Sequence, residues 1–253
     1  MKKKLFLLTV LTLTLSIPII AGGDDWKSMF NGKDTKGWIQ KNGTATYRVE
    51  DGMIIGTTTP GSPNSFLCSE KEYGDFALIF DAKLMNPELN SGVQIRSQTK
   101  ASENGEGFGR VNGPQIEFAE AGEEGGYSGY IYGEACGGWM TPPDKLIRHN
   151  HLKNGDWNHY KILAQGSRIQ VWINGELISD LVDEAKFESH PKGFIGLQVH
   201  DVGQSGPFEV AWKNIKIMEL SLCGNLAMNI ITILNGLVVI SITGTKQWSW
   251  YPE

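Results

Sequence analysis

The sequence is poor in cysteine, with three in 253 residues. Cys68, Cys136 and Cys223 are odd in number and lack the spacing of metal ligands. A Cys68–Cys136 disulfide and buried free thiols, packed as small hydrophobes, both stay open. Basic charge is also short. There are 23 Lys and Arg against 28 Asp and Glu, a net charge of -5. Three of those lysines stand at the extreme N-terminus, which leaves 20 basic residues elsewhere. This balance argues against nucleic acid as a partner, because a nucleic-acid binder needs a basic face. Helix-forming runs are nearly missing, and Asp183 to Ser189 is the only helix-like stretch in the central part. No internal repeat or low-complexity linker divides the chain.

Long apolar runs occur only at the two ends. Lys2, Lys3 and Lys4 precede an apolar run from Leu5 to Ile20, and small residues follow at Ala21-Gly22-Gly23. Residues 1–22 therefore read as a signal peptide, with Pro18 and Asp24-Asp25 flanking the cleavage region. A retained membrane anchor is the alternative. No cysteine closes the run, which speaks against a lipoprotein anchor. The expected location is outside the cytoplasm, periplasmic or secreted. Residues 221–253 form an appended apolar tail. Ile230–Leu234, Asn235-Gly236 and Leu237–Ile240 suit a hairpin, or alternatively a short membrane segment, so membrane contact is expected only in the second case.

What is abundant is glycine, at 31 residues, with eight tryptophans. Asn-Gly occurs at Asn31, Asn42, Asn104, Asn112, Asn154, Asn174 and Asn235, and Asp51-Gly52 adds another turn signal. These pairs suit the positive φ angles of tight hairpin turns. Between them lie short alternating runs. Phe76 to Leu84 is apolar at its even positions, and Arg168 to Ile173 at its odd ones. Asn174-Gly175 then returns the chain into Glu176-Leu177-Ile178 as a hairpin. From Phe208 to Ile217 the apolar parity changes, so a β-bulge is expected near Lys213-Asn214. Residues 23–220 thus read as one all-β domain, a two-sheet sandwich.

Four strands pair an apolar face with an unusual polar one. Gln94 and Arg96 stand opposite Val93 and Ile95. Gln115 and Glu117 stand opposite Ile116 and Phe118. Tyr130 and Tyr132 share a face, and Gln198 and His200 stand opposite Leu197 and Val199. Solvated strands usually carry Lys, Thr, Ser and Glu. The planar, multi-donor groups here suit a ligand with many hydroxyls. The expected site is therefore a concave face of Gln94, Arg96, Gln115, Glu117, Tyr130, Tyr132, Gln198 and His200. Trp139, in a Gly-rich loop, is either a sugar-stacking ring or a core residue. Arg148, His149 and His151 offer two imidazoles at i, i+2 but no third ligand, so no metal site is assigned there.

Gln115-Ile116-Glu117-Phe118-Ala119-Glu120 resembles the Glu-x-Asp-x-x-Glu signature of laminarinase-like glycosidases, whose fold is also a jelly roll. There, two carboxylates flank the scissile bond. Gln115 occupies the first carboxylate position and cannot serve as that nucleophile. Glu120 also falls on the opposite face.

Several segments taken in order carry a broader resemblance. They are Met29–Asp34 with Gly37-Trp38, Asn90–Ser97, Gly155–Tyr160, Trp172–Gly175, Gly196–His200 and Trp212–Ile217. Together, from about Trp26 to Leu220, the chain resembles the 3-keto-disaccharide hydrolase domain family (DUF1080). The resemblance implies a concanavalin A-like jelly roll, export, and cleavage of 3-keto glycosides by hydrolysis or by 1,2-elimination and hydration. No cofactor is evident. The broader activity class implies a divalent metal for some members, but the sequence holds no clear cage. On chemical grounds Glu117 is expected as the general base, His200 as proton donor to the leaving oxygen and Arg96 as the enolate-stabilising cation. A non-catalytic carbohydrate-binding module is the alternative. It would keep Trp139, Tyr130 and Gln94 without needing an ionisable Glu117.

Overall fold

The computed structural model describes residues 26–100, 109–203 and 206–220, and the backbone of 228–234 and 237–242. The expected signal peptide, Cys223 and the expected turn at Asn235-Gly236 lie outside the described residues. In chain order the strands are β1 (Lys27–Ser28), β2 (Trp38–Lys41), β3 (Thr46–Glu50), β4 (Met53–Thr57), β5 (Ser65–Ser69), β6 (Phe76–Leu84), β7 (Asn90–Thr99) and β8 (Val111–Ala119). They continue as β9 (Ile131–Glu134), β10 (Gly138–Trp139), β11 (Asn158–Gln165), β12 (Arg168–Ile173), β13 (Glu176–Val182), β14 (Phe194–Val199) and β15 (Glu209–Glu219). One short helix, α1 (Glu184–Ser189), follows β13, and the Asp183 side chain caps it by accepting the Lys186 N–H at 2.9 Å.

These strands form two antiparallel sheets. One runs β13-β12-β11-β6-β15-β4-β3, with β1 added on β15. The other runs β10-β9-β8-β7-β14-β5-β2. The fold is an all-β jelly-roll sandwich, as the alternating runs require. Asp51-Gly52 joins β3 to β4 and Asn174-Gly175 joins β12 to β13, each with positive φ at both turn residues. Asn112-Gly113 is different. It lies inside β8, and a Cβ on Gly113 would stand 2.4 Å from Ser97 Oγ, so this glycine admits a close strand rather than a turn. The expected bulge in β15 is present between Lys213 and Lys216, with Asn214 at φ 55.

The core lies between the sheets. Phe80 stacks on Tyr160, with ring centroids 5.0 Å apart. Phe118, from the other sheet, meets Trp212 edge-on at 6.5 Å. Such pairs add about 0.5–1.5 kcal/mol beyond burial. In the tail, Met228–Leu234 pairs antiparallel with Leu237–Ile242 as a separate ladder, β16 and β17. Among the described residues no helix is long and apolar enough to cross a membrane. Cys68 and Cys136 are unpaired thiols, and burial pushes the Cys68 thiol far above its ordinary pKa. The disulfide left open by the sequence is not formed.

Candidate active site

Register places the polar residues. On the side of the seven-stranded sheet turned away from the core, one row crosses all seven strands. It runs Ile39, Cys68, Gly196, Gln94, Gln115, Tyr132 and Trp139. The next row holds Lys41, Phe66 and Gln198, with Gly92 opposite Glu117. Glycine at position 92 matters because a Cβ there would stand 2.6 Å from Gln115 Cγ. The Gln115 side chain therefore lies flat across the strand.

A directed hydrogen-bond chain runs over this floor. Ser97 Oγ donates to Gln94 Oε1 at 2.6 Å, and Gln94 Nε2 donates to Gln115 Oε1 at 2.6 Å. Gln115 Nε2 donates to Glu117 Oε2 at 2.7 Å. From the other side Asn90 Nδ2 donates to Glu117 Oε1 at 3.2 Å, and His200 Nδ1 bonds Asn90 Oδ1. Two of these donors, Gln115 Nε2 and Asn90 Nδ2, meet on Glu117. Burial nevertheless raises the carboxyl to a pKa of about 7, with a smaller push from the Glu134 charge, while the Gln115 hydrogen bond opposes the rise. His200 moves the other way. Burial pulls it below its ordinary value, against the charges of Glu134 and Asp201.

Of the remaining expected residues, Trp139 is 41% exposed and stands edge-on to Tyr132 at 5.4 Å, so it is not a core residue. Gln198 is buried, and its Oε1 has no hydrogen-bond partner. Tyr130 does not present its hydroxyl to a ligand. The Tyr130 hydroxyl donates to Ile147 O at 3.0 Å and accepts from Ile147 N–H at 3.2 Å, which fastens the following loop.

Arg96 is the clear departure. Strand β7 carries one extra residue between Gln94 and Gln98, seen from both neighbouring strands, and Arg96 adopts φ 48. The bulge reverses the side-chain parity. Arg96 is 1% exposed and donates to Gly74 O at 2.7 Å, Gly166 O at 2.6 Å and Asp75 Oδ1 at 2.9 Å. Its guanidinium also lies 5.0 Å from the Phe187 ring centroid. It braces the ends of the two sheets and does not join Glu117 and His200.

Three residues on or beside the face went unnoticed in the sequence. Asn90 has the same parity in β7 as Gln94, and Glu134 the same parity in β9 as Tyr132, so alternation carried a signal for both. Glu134 is buried, with Arg110 Nη2 at 2.9 Å and Asn64 Nδ2 at 3.4 Å. No pattern marked Arg110, which precedes its strand.

The sequence profile of the 3-keto-alpha-glucoside-1,2-lyase-like domain matches residues 25–218. The chain belongs to this family. Membership makes its function carbohydrate-related. Curated proteins provide no match. Among solved structures, a candidate glycosyl hydrolase from Parabacteroides distasonis ATCC 8503 is similar at 21% identity and a TM-score of 0.50, over 78% of this chain and 94% of that one. A protein of unknown function with a galectin-like fold from Bacillus subtilis is similar at 11% identity and a TM-score of 0.55, over 77% of this chain and 94% of that one. At these identities the likeness is one of fold.

The polar face of this chain offers proton carriers. Glu117 is held by Gln115 and Asn90, and Glu134 by Arg110 and Asn64. Elsewhere, His149 Nε2 bonds Ser128 O at 2.8 Å and its Nδ1 accepts the His151 N–H at 3.3 Å. Among the described residues no group of three or more metal-ligating side chains converges. Glu120 lies off the face and accepts the Gly155 N–H at 3.0 Å. That fits the departure from the laminarinase-like pattern.

Proposed function

We propose that this exported protein cleaves 3-keto glycosides by 1,2-elimination and hydration, with His200 as base and Glu117 as acid. One observation carries the reading: two proton carriers on the polar face are bridged by a single carboxamide. The roles are exchanged relative to the sequence expectation. Glu117, at about 7, still holds a proton near neutrality, whereas burial holds His200 below its ordinary imidazole value and favours its neutral, basic form.

A carbonyl at C3 acidifies the C2 hydrogen. His200 Nε2 takes that proton, and the electron pair moves onto the C3 oxygen as an enolate. The enolate re-forms the carbonyl and expels the glycosidic oxygen from C1, which takes the Glu117 proton. Water then adds at C1 and gives a proton to Glu117, while His200 returns its proton to C2. The sum is hydrolysis, with both side chains restored. Arg96 has no part in these steps. Gln198 lies buried in the floor of this face with an unmet acceptor, Oε1, and takes no part in these steps. Trp139 supplies a ring for the sugar's C–H surface.

The test is an assay of purified protein on 3-keto and ordinary disaccharides, with and without chelator. Turnover of the keto sugar alone is expected. Binding without turnover of either would make the chain a binding module, and loss with chelator would add a metal to the mechanism. A bell-shaped pH profile of kcat/KM is also expected. Its acid limb follows His200, below the ordinary imidazole value, and its alkaline limb follows Glu117 at about 7. A rate still rising above about pH 8 would exclude this pair as acid and base.

A further inference from the structure

We infer that Asn90 is the positioning residue of this site, fixing which imidazole nitrogen of His200 carries the hydrogen and tying that choice to Glu117. The inference deepens the acid–base reading above and rests on it for its catalytic consequence only. Asn90 opens β7 and shares the face of Gly92 and Gln94. Its half-buried side chain stands between two groups that have no direct bond to each other. Its amide nitrogen donates to Glu117 Oε1, and its amide oxygen meets His200 Nδ1.

The polarity follows from what each atom can do. A carboxamide oxygen only accepts, so Nδ1 must carry the hydrogen. The lone pair of neutral His200 is then on Nε2, which bonds no described residue. In water, imidazole favours the opposite tautomer, with the hydrogen on Nε2. That form would leave His200 unable to take a proton through Nε2. Asn90 thus selects the minor tautomer, which is the basic one for a substrate on the open side.

The same carboxamide links the two proton carriers. With its nitrogen toward Glu117, it supports either an ionised carboxyl or a protonated one whose hydroxyl points at the substrate. After proton transfer, Glu117 is a carboxylate and His200 is an imidazolium donating through both nitrogens. Asn90 then donates to the anion and accepts from the cation without turning. The product charge state is matched by hydrogen bonds already in place. The other charges facing the pair are Glu134 on β9 and Asp201 just beyond β14. Both are acidic, and neither bonds His200 or Glu117.

The experiment needs no substrate. Full-length protein carrying 15N-labelled histidine is examined by NMR near pH 7.5, with the His200 signals, among five histidines, identified by their loss in His200→Gln. Wild type is expected to show the Nδ1–H tautomer. Asn90→Leu removes the acceptor, and the Nε2–H form should become the major one. Asn90→Asp keeps an acceptor but brings a charge. It should retain Nδ1–H and raise the pH at which His200 titrates. If Asn90→Leu retains Nδ1–H, or if Leu and Asp give the same spectrum, Asn90 only fills space and the inference is overturned. Should Asn90→Leu fail to fold, the wild-type tautomer and Asn90→Asp still decide. In turnover of a 3-keto disaccharide, Asn90→Leu should lower kcat by about 10²-fold with little change in KM. If wild type turns over no keto sugar, the functional reading falls while the tautomer result stands. If the keto sugar is cleaved and the tautomer is insensitive to Asn90, the positioning role alone falls.

Discussion

Replacing Glu117 by glutamine should cut turnover of a 3-keto disaccharide by about 10²–10⁴-fold, the usual cost of losing a positioned acid or base. Glutamine has nearly the same shape but cannot give a proton to the leaving oxygen. The hydrogen bonds around it sharpen the expectation. Gln115 Nε2 and Asn90 Nδ2 both donate to the carboxyl, so an amide there confronts one donor with another. One neighbour must turn, at a cost of about 1–3 kcal/mol for a buried unmet group. Against a typical domain stability of about 5–15 kcal/mol, the fold survives this. Circular dichroism and urea denaturation should therefore show a folded protein, and calorimetry should show keto-sugar binding largely retained. If turnover is unchanged, the proton donor is elsewhere.

Arg96→Met should act on stability rather than chemistry, lowering the unfolding free energy by about 3–5 kcal/mol, as expected when one partner of a buried charged pair is removed. The guanidinium ties β7 to Gly74-Asp75, just before β6, and to Gly166, in the turn between β11 and β12. Without it two carbonyls lose their donor. Asp75 Oδ1 would keep only the Gly166 N–H, at 3.0 Å. Lysine keeps the charge but not the planar fork, so Arg96→Lys should recover only part of the loss. Urea unfolding measures the first effect, and turnover measured where the variant is still folded should remain near wild type. A variant of normal stability that has lost turnover would return Arg96 to the site.

Much of the polar face was readable from alternation. Gln94, Gln115, Glu117 and Gln198 lie on the face that parity assigned them, and His200, one residue beyond β14, bonds Asn90 on the same side. Parity failed at Arg96 because it counts residues while the sheet counts paired positions. One extra residue in β7 turns every side chain at the bulge. Nothing in Val93 to Ser97 announces that insertion. In β15 a change in apolar parity did announce the bulge near Asn214. Tyr130 failed for a different reason. Its position was read correctly, but its hydroxyl is held by Ile147, seventeen residues away along the chain.

By itself the sequence determined the all-β class, the hairpins at Asp51-Gly52 and Asn174-Gly175 and the apolar faces of β6 and β12, and its ordered motifs carried the resemblance to the family. The class, hairpins and faces rest on local spacing, because a strand's two faces and a turn's positive φ are set within a few neighbouring residues. Tertiary structure alone decided that Arg96 braces two sheets, that Cys68 and Cys136 stay apart, and that Asn90 stands between Glu117 and His200. These depend on which distant strands become neighbours and in what register. The pairing that joins β14 to β7 brings residues about a hundred positions apart into hydrogen-bond contact, and no local pattern encodes that distance.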